Sequence, residues 1–219
     1  MIKLYCFGKL HRAVIGETRD LRVQWALEET GLPYRVQGLD HTGGELDSDA
    51  YSKISLFNQI PIIDDEGFIL SESSAILQYI AEKSGKLIPS YFQGRIRVLQ
   101  WCEVAMNSVE RPLMDIMMID NWYKADDSKK QRAALVQEIA RKLGGLERRL
   151  EGREWFACED FTVADMLIHS VLRGIRKTDF LEPYPRLKEF YAKVSARPAW
   201  QKTLESYSER LGVTVEDII

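Results

Sequence analysis

The spacing of apolar residues changes character near residue 85. Before that point, short alternating runs are mixed with runs at helical spacing; after it, only helical spacing remains. Ile2 to Cys6 alternates apolar with polar and ends at Phe7-Gly8, which predicts a strand. Arg19 to Thr30 carries Leu21, Trp25 and Leu27, then Glu28-Glu29, and is closed by Gly31, which predicts a helix with a glycine stop. Pro33 leads into Tyr34-Arg35-Val36-Gln37-Gly38-Leu39, a second strand. Strand, helix, strand implies a right-handed parallel unit. A polar stretch from His41 to Asp49 follows, with a short helix expected from about Ala50. Two short apolar runs, Ile60 to Ile63 and Gly67 to Leu70, flank the turn signal Asp64-Asp65-Glu66-Gly67 and predict a hairpin. Ser71 is expected to cap a helix through Ala75, Ile76, Tyr79, Ile80 and Ala81, stopped by Gly85.

The order βαβ, α, ββα is the thioredoxin-like layout. Helices are expected at Gly94–Asn121, Asp127–Leu150, Thr162–Arg176, Pro185–Ala196 and Pro198–Arg210. The expected architecture is therefore a thioredoxin-like α/β domain over residues 1–84, a linker over 85–92 and an all-α domain over 93–219. At Thr162, the pair Thr162 and Asp165 reads as a capping box and Phe161 with Met166 as a hydrophobic staple, a matter of fold stability.

Composition narrows the function. The 219 residues carry a formal net charge of -3, which lacks the concentrated Lys and Arg that nucleic acid or an anionic membrane calls for. No apolar run is long enough to span a bilayer, and the N-terminus lacks the pattern of a signal peptide. Cys6, Cys102 and Cys158 are far apart and form no C-x-x-C, so a reducing cytoplasm is expected and a disulfide framework is not. His11, His41 and His169 show no ligand spacing, so no metal is expected.

Two constellations carry chemistry. In Gln59-Ile60-Pro61 a proline opens a short strand, where it cannot donate to the ladder. Either it is a plain edge-strand proline, or Ile60-Pro61 is cis and leaves the backbone of Ile60 to pair with a bound peptide. Ser71-Glu72-Ser73-Ser74 stands between strand and helix. It is a helix cap, or it also uses the helix N–H groups and dipole to bind a carboxylate. In that case Ser73 adds a hydroxyl and Glu72 receives the neighbouring ammonium. One site would pair with a peptide backbone while the other grips an amino-acid head.

The chain resembles the cytosolic glutathione transferases over essentially its full length, in the bacterial-type form with a serine- or threonine-like N-terminal motif. Four segments carry the resemblance in order: Glu28-Glu29-Thr30-Gly31-Leu32-Pro33 with Tyr34, Phe57-Asn58-Gln59-Ile60-Pro61, Ser71 to Ile76, and Phe161 to Asp165. The resemblance implies that Ile60 pairs with the cysteinyl residue of glutathione and that Glu72 and Ser73 hold its γ-glutamyl head. Gln59 and Pro61 would complete that side. His41 would reach the glycyl carboxylate, or be an ordinary surface histidine.

Glutathione's thiol must be ionised to react, and at a pKa near ~8.5 only a few per cent is thiolate at neutral pH. The family's catalytic hydroxyl position falls on Thr18, where the first helix is expected to begin; Thr18 could equally be its N-cap. The segment Phe7 to Glu17 is longer than the family's usual loop, and Tyr5 and Arg19 are rival thiolate donors. By resemblance the electrophile sits between the two domains against the first long helix, which offers Trp101, Met106 and Asn107. The implied activity is conjugation of glutathione, as co-substrate, to a small apolar electrophile by a homodimer. A glutathione-binding scaffold without activity is an alternative. So is an oxidoreductase in which Cys6 forms a mixed disulfide, although the place of Cys6 in an alternating strand favours a buried, inert thiol.

Overall fold

The computed structural model describes residues 1–121 and 128–219. It divides into two compact units, Met1–Lys86 with Ala196–Ile219, and Leu87–Ser195.

The first unit is built on strands β1 (Ile2–Lys9), β2 (Tyr34–Asp40), β3 (Ile62–Asp65) and β4 (Phe68–Ser71), in the order β2-β1-β3-β4. β1 runs parallel to β2 and antiparallel to β3, which is antiparallel to β4. Alternation works as expected in β1: Ile2, Leu4 and Cys6 are buried while Lys3 and Tyr5 are half-buried. The hairpin turn uses Glu66 and Gly67, both at positive φ (56° and 93°), the conformation that suits the twist of a tight hairpin. Helix α1 (Asp20–Thr30) buries Leu21, Val23, Trp25, Ala26 and Leu27 and ends at Gly31 in the left-handed conformation (φ 72°). Short α2 (Asp49–Ser52) and α3 (Ser73–Ser84) complete the thioredoxin-like part, with Gly85 again left-handed after α3.

Two local expectations are corrected. β3 begins at Ile62 rather than Ile60, because Pro61 has no N–H for the ladder. Ser71 is the last residue of β4, paired with Ile62, and the N-cap of α3 is Glu72, which makes no side-chain capping bond.

In the second unit, α4 (Phe92–Glu103) and α5 (Glu110–Asn121) are separated by a π-helical stretch, Val104–Val109. The single helix expected from Gly94 to Asn121 is thus interrupted. Pro112 gives the reason: it cannot donate to the carbonyl one turn back, and its ring crowds that carbonyl. Helix α6 (Ser128–Arg149) follows; its expected first residue, Asp127, lies outside the described residues. Helix α7 (Val163–Arg173) is almost wholly buried. Its start is held by Asp165, whose Oδ2 accepts the N–H and hydroxyl of Thr162 at 2.9 and 3.0 Å and whose Oδ1 accepts the Phe156 N–H at 2.8 Å. Phe161 stands against Trp155, with ring centroids 5.1 Å apart. Helix α8 (Pro185–Ser195) closes the unit.

Helix α9 (Pro198–Leu211) packs with the first unit. Its buried face explains this. Trp200 lies 4.9 Å from Trp25, Arg197 forks onto Glu29 at 2.6 and 2.8 Å, and Arg210 reaches Asp20, Gln24 and the carbonyl of Phe7. Periodicity reports that a helix has a buried face, not what covers it.

His169 on α7 stacks on Tyr191 and meets the Ser195 hydroxyl at 2.9 Å. Burial first, then the charge of Arg173, holds its pKa down to about 3. The unfolded chain binds a proton at His169 below about pH 6.5 and the folded protein does not, so stability present above that pH is lost as pH falls. Urea unfolding of His169→Gln should therefore show a pH slope between about pH 6 and 4 that is shallower by about 1.4 kcal/mol per unit. An unchanged slope would assign the acid sensitivity to other groups.

Candidate functional site

The sheet of the first unit ends in a cleft of about 240 Å³. Tyr5 is the last β1 residue in register with β3, opposite Ile62, so Ile60 lies just beyond that ladder. Ser71 is the last β4 residue paired with β3, so Glu72 lies just beyond the other. The Ile60-Pro61 bond is cis. Gln59, Ile60, Pro61, Glu72 and Ser73 all line the cleft, together with His41 and Arg19. The two constellations expected to act together are therefore brought to one edge of the sheet.

The residue before Ile60 is held on both sides. The Gln59 carbonyl accepts the Tyr51 hydroxyl at 2.8 Å and the Ser55 hydroxyl at 3.2 Å, while its N–H donates to Ser55 Oγ at 2.8 Å. The side chain of Ile60 packs on Leu46, Tyr51 and Ile62 below. Glu72 has φ 65° and ψ 112°, a left-handed-side backbone that non-glycine residues seldom adopt. That turn leaves its side chain exposed and sets Ser73 at the open end of α3. Ser73 is buried, and its Oγ accepts from Arg22 Nη1 at 3.4 Å. Because that oxygen is an acceptor there, the Ser73 hydroxyl keeps its own proton to donate. The buried Arg22 guanidinium, the Ser73 hydroxyl and the α3 N-terminus all favour an anion at one point. Sequence reasoning named Ser73 but not Arg22 behind it, nor the clamp of Tyr51 and Ser55; no local motif announces either.

The donor candidates separate. Arg19 occupies the N-cap of α1, which starts at Asp20, so Thr18 is not that cap. The Thr18 hydroxyl instead lies 2.9 Å from the Tyr207 hydroxyl, and Thr18 is half-buried and outside the cleft lining. Tyr5 does not line the cleft either; its ring stands 6.0 Å from Tyr51 with Lys3 over it at 4.5 Å. Cys6 is fully buried, its Sγ 3.8 Å from the Gln37 carbonyl, and burial pushes its thiol up to about 12. Such a thiol supplies no thiolate at neutral pH. His41 is exposed and edge-on to Phe7 at 5.8 Å.

The electrophile candidates lie on the second unit. Trp101 packs on Phe156 at 5.1 Å beneath the Arg149 guanidinium, and Asn107, exposed, donates to Glu103 at 2.6 Å. Met106 and Asn107 fall in the π-helical stretch. Among the described residues, no group of three or more His, Cys, Asp and Glu side chains is placed to hold a metal ion, and no helix is long and apolar enough to cross a membrane.

Comparison with known proteins agrees with this fold. The profile described as Glutathione S-transferase, N-terminal domain matches residues 13–82, and that described as Glutathione S-transferase, C-terminal domain matches residues 114–207. Glutathione S-transferase F11 of Arabidopsis thaliana is 31% identical over 161 residues, 68% of this chain and 75% of the relative. Glutathione S-transferase 3 of Schizosaccharomyces pombe is 26% identical over 221 residues, 92% of this chain and 89% of the relative. Among solved structures, a glutathione transferase family member from Pseudomonas fluorescens with two glutathione bound superposes with a TM-score of 0.81 at 29% identity, covering 93% of this chain and 92% of its own. The glutathione transferase from Pseudomonas putida with one glutathione disulfide bound per subunit gives a TM-score of 0.79 at 28% identity, covering 92% and 90%. With a thioredoxin-like unit, a helical unit and relatives of this kind across most of its length, the chain belongs to the glutathione transferase family.

Proposed function

We propose that the chain holds glutathione in the cleft beside Ile60 and Ser73 and transfers its thiolate to an apolar electrophile. The observation that carries this is the convergence of Ile60, Glu72 and Ser73 on one cleft, each just past the end of a strand ladder. In this reading the Ile60 backbone pairs with the cysteinyl residue. Ser73, backed by Arg22, and the α3 N-terminus take the γ-glutamyl carboxylate, and exposed Glu72 takes the ammonium. Gln59 and Pro61 shape the same wall, and His41 meets the glycyl end. Thr18 is the donor to the thiolate. Trp101, Met106 and Asn107 on the second unit meet the electrophile. The working form is a cytoplasmic homodimer, consistent with the prevalence of two-fold assemblies.

The ligands of the two Pseudomonas proteins favour a second reading, in which the thiolate attacks a disulfide. One sulfur–sulfur bond breaks, a glutathione mixed disulfide forms, and the other sulfur leaves as a thiolate, so no external oxidant is needed. Bound glutathione itself would be the nucleophile, since Cys6 is buried. Turnover of an aryl halide against turnover of a small dialkyl disulfide separates the readings.

Ser73→Ala tests the site. Loss of one hydrogen bond to a charged group should weaken glutathione binding about 10- to 100-fold in calorimetry. Unchanged affinity would place the γ-glutamyl head elsewhere.

A further inference from the structure

We infer that Tyr207 on α9 is a positioning residue that turns the Thr18 hydroxyl toward the sulfur; this rests on the reading of Thr18 as thiolate donor. Tyr207 is fully buried and its hydroxyl has two neighbours from the segment between β1 and α1. The Gly16 N–H donates to it at 3.1 Å, and Thr18 Oγ1 lies 2.9 Å away. The N–H can only donate, so the phenol oxygen accepts from it; the phenol proton is assigned to Thr18, the other neighbour within hydrogen-bond distance. Burial raises the phenol to about 12, which keeps that proton in place at neutral pH. A Thr18 oxygen that accepts from Tyr207 has its own proton released for an anion. The chain then runs from Gly16 N–H to Tyr207 to Thr18 to sulfur, and each donation strengthens the next. The Arg210 guanidinium, 5.2 Å from the centre of the Tyr207 ring, makes the phenol a better donor.

The same contacts give the loop between β1 and α1 a purpose. Gly16 has φ 84°, and a Cβ added there would stand 3.1 Å from the Cβ of Ile218, which is itself fully buried. The C-terminal residues therefore close over the loop that carries Thr18. A role for Tyr207 is invisible from the N-terminal sequence, because its partner lies 189 residues away.

The test follows the thiolate absorbance of bound glutathione against pH in wild type, Thr18→Ala, Tyr207→Phe and the double variant. The expected result is a midpoint raised by about half to one unit in Tyr207→Phe, with glutathione affinity unchanged and no further rise when Tyr207→Phe is added to Thr18→Ala. Site-specific 3-fluorotyrosine at 207, a more acidic phenol of nearly the same shape, should lower the midpoint and covers the case in which the Phe variant folds poorly. A raised midpoint in Thr18→Ala with no response to either change at 207 would overturn the role of Tyr207 while leaving Thr18 intact. An additive effect of Tyr207→Phe in the Thr18→Ala background would overturn it too, by making Tyr207 merely structural. A midpoint in wild type equal to that of free glutathione would sink the transferase reading itself.

Discussion

Thr18→Ala is expected to lower kcat for conjugation about 10- to 100-fold and to leave the affinity for glutathione near that of the wild type. The magnitude is that of one hydrogen bond to a charged group, about 1.5–3 kcal/mol, applied to the thiolate and therefore to the transition state. Affinity is expected to be spared because, in the proposed function, the tripeptide is gripped elsewhere, by the Ile60 backbone, Glu72 and Ser73. The split between kcat and KM is the signature of a group that acts on ionisation rather than on binding. Stopped-flow and steady-state kinetics at one pH measure it. A variant with wild-type kcat would move the donor to another group, with Arg19, which lines the cleft, first in line.

Asp165→Ala is expected to destabilise the protein by about 3 kcal/mol or more, to be checked by urea unfolding. The carboxylate is fully buried and accepts from two backbone N–H groups and one hydroxyl. Removing it leaves those donors without an acceptor inside the protein, and each orphaned buried donor costs about 1–3 kcal/mol. Asp165→Asn, which keeps one acceptor oxygen, should recover part of the loss. A loss below about 1 kcal/mol in the Ala variant would mean that the start of α7 does not depend on this carboxylate.

How much of this was legible follows from how local each determinant is. The βαβ and ββα order could be read because each element shows its own periodicity, and Gly31, Gly67 and Gly85 sit where the backbone turns left-handed. That Ile60, Glu72 and Ser73 meet at one cleft was readable because strand ends and helix starts are marked within a few residues. The Ser71 cap was misplaced by one residue, since Ser is the better capping side chain and the strand pairing of Ser71 with Ile62 is not local. Arg22 looked like one polar residue of a helix; its role appears only when α1 and α3 pack together and its guanidinium meets Ser73. Thr18 could be read as thiolate donor or as helix cap; the cap is Arg19, and the Tyr207 hydroxyl that Thr18 meets lies far away in sequence. The interruption at Val104–Val109 was signalled by Pro112, but a proline in the first turn of a helix and one inside a longer helix look alike in sequence.

The proposed function requires the first unit both to hold glutathione and to ionise it. The direct measurement is the ultraviolet thiolate absorbance of glutathione bound to the wild-type protein, titrated with pH. A midpoint at least one unit below the ordinary thiol value of about 8.5 is the result predicted. A midpoint at about 8.5 with glutathione saturating the protein would contradict it, leaving a chain that binds the peptide without activating it.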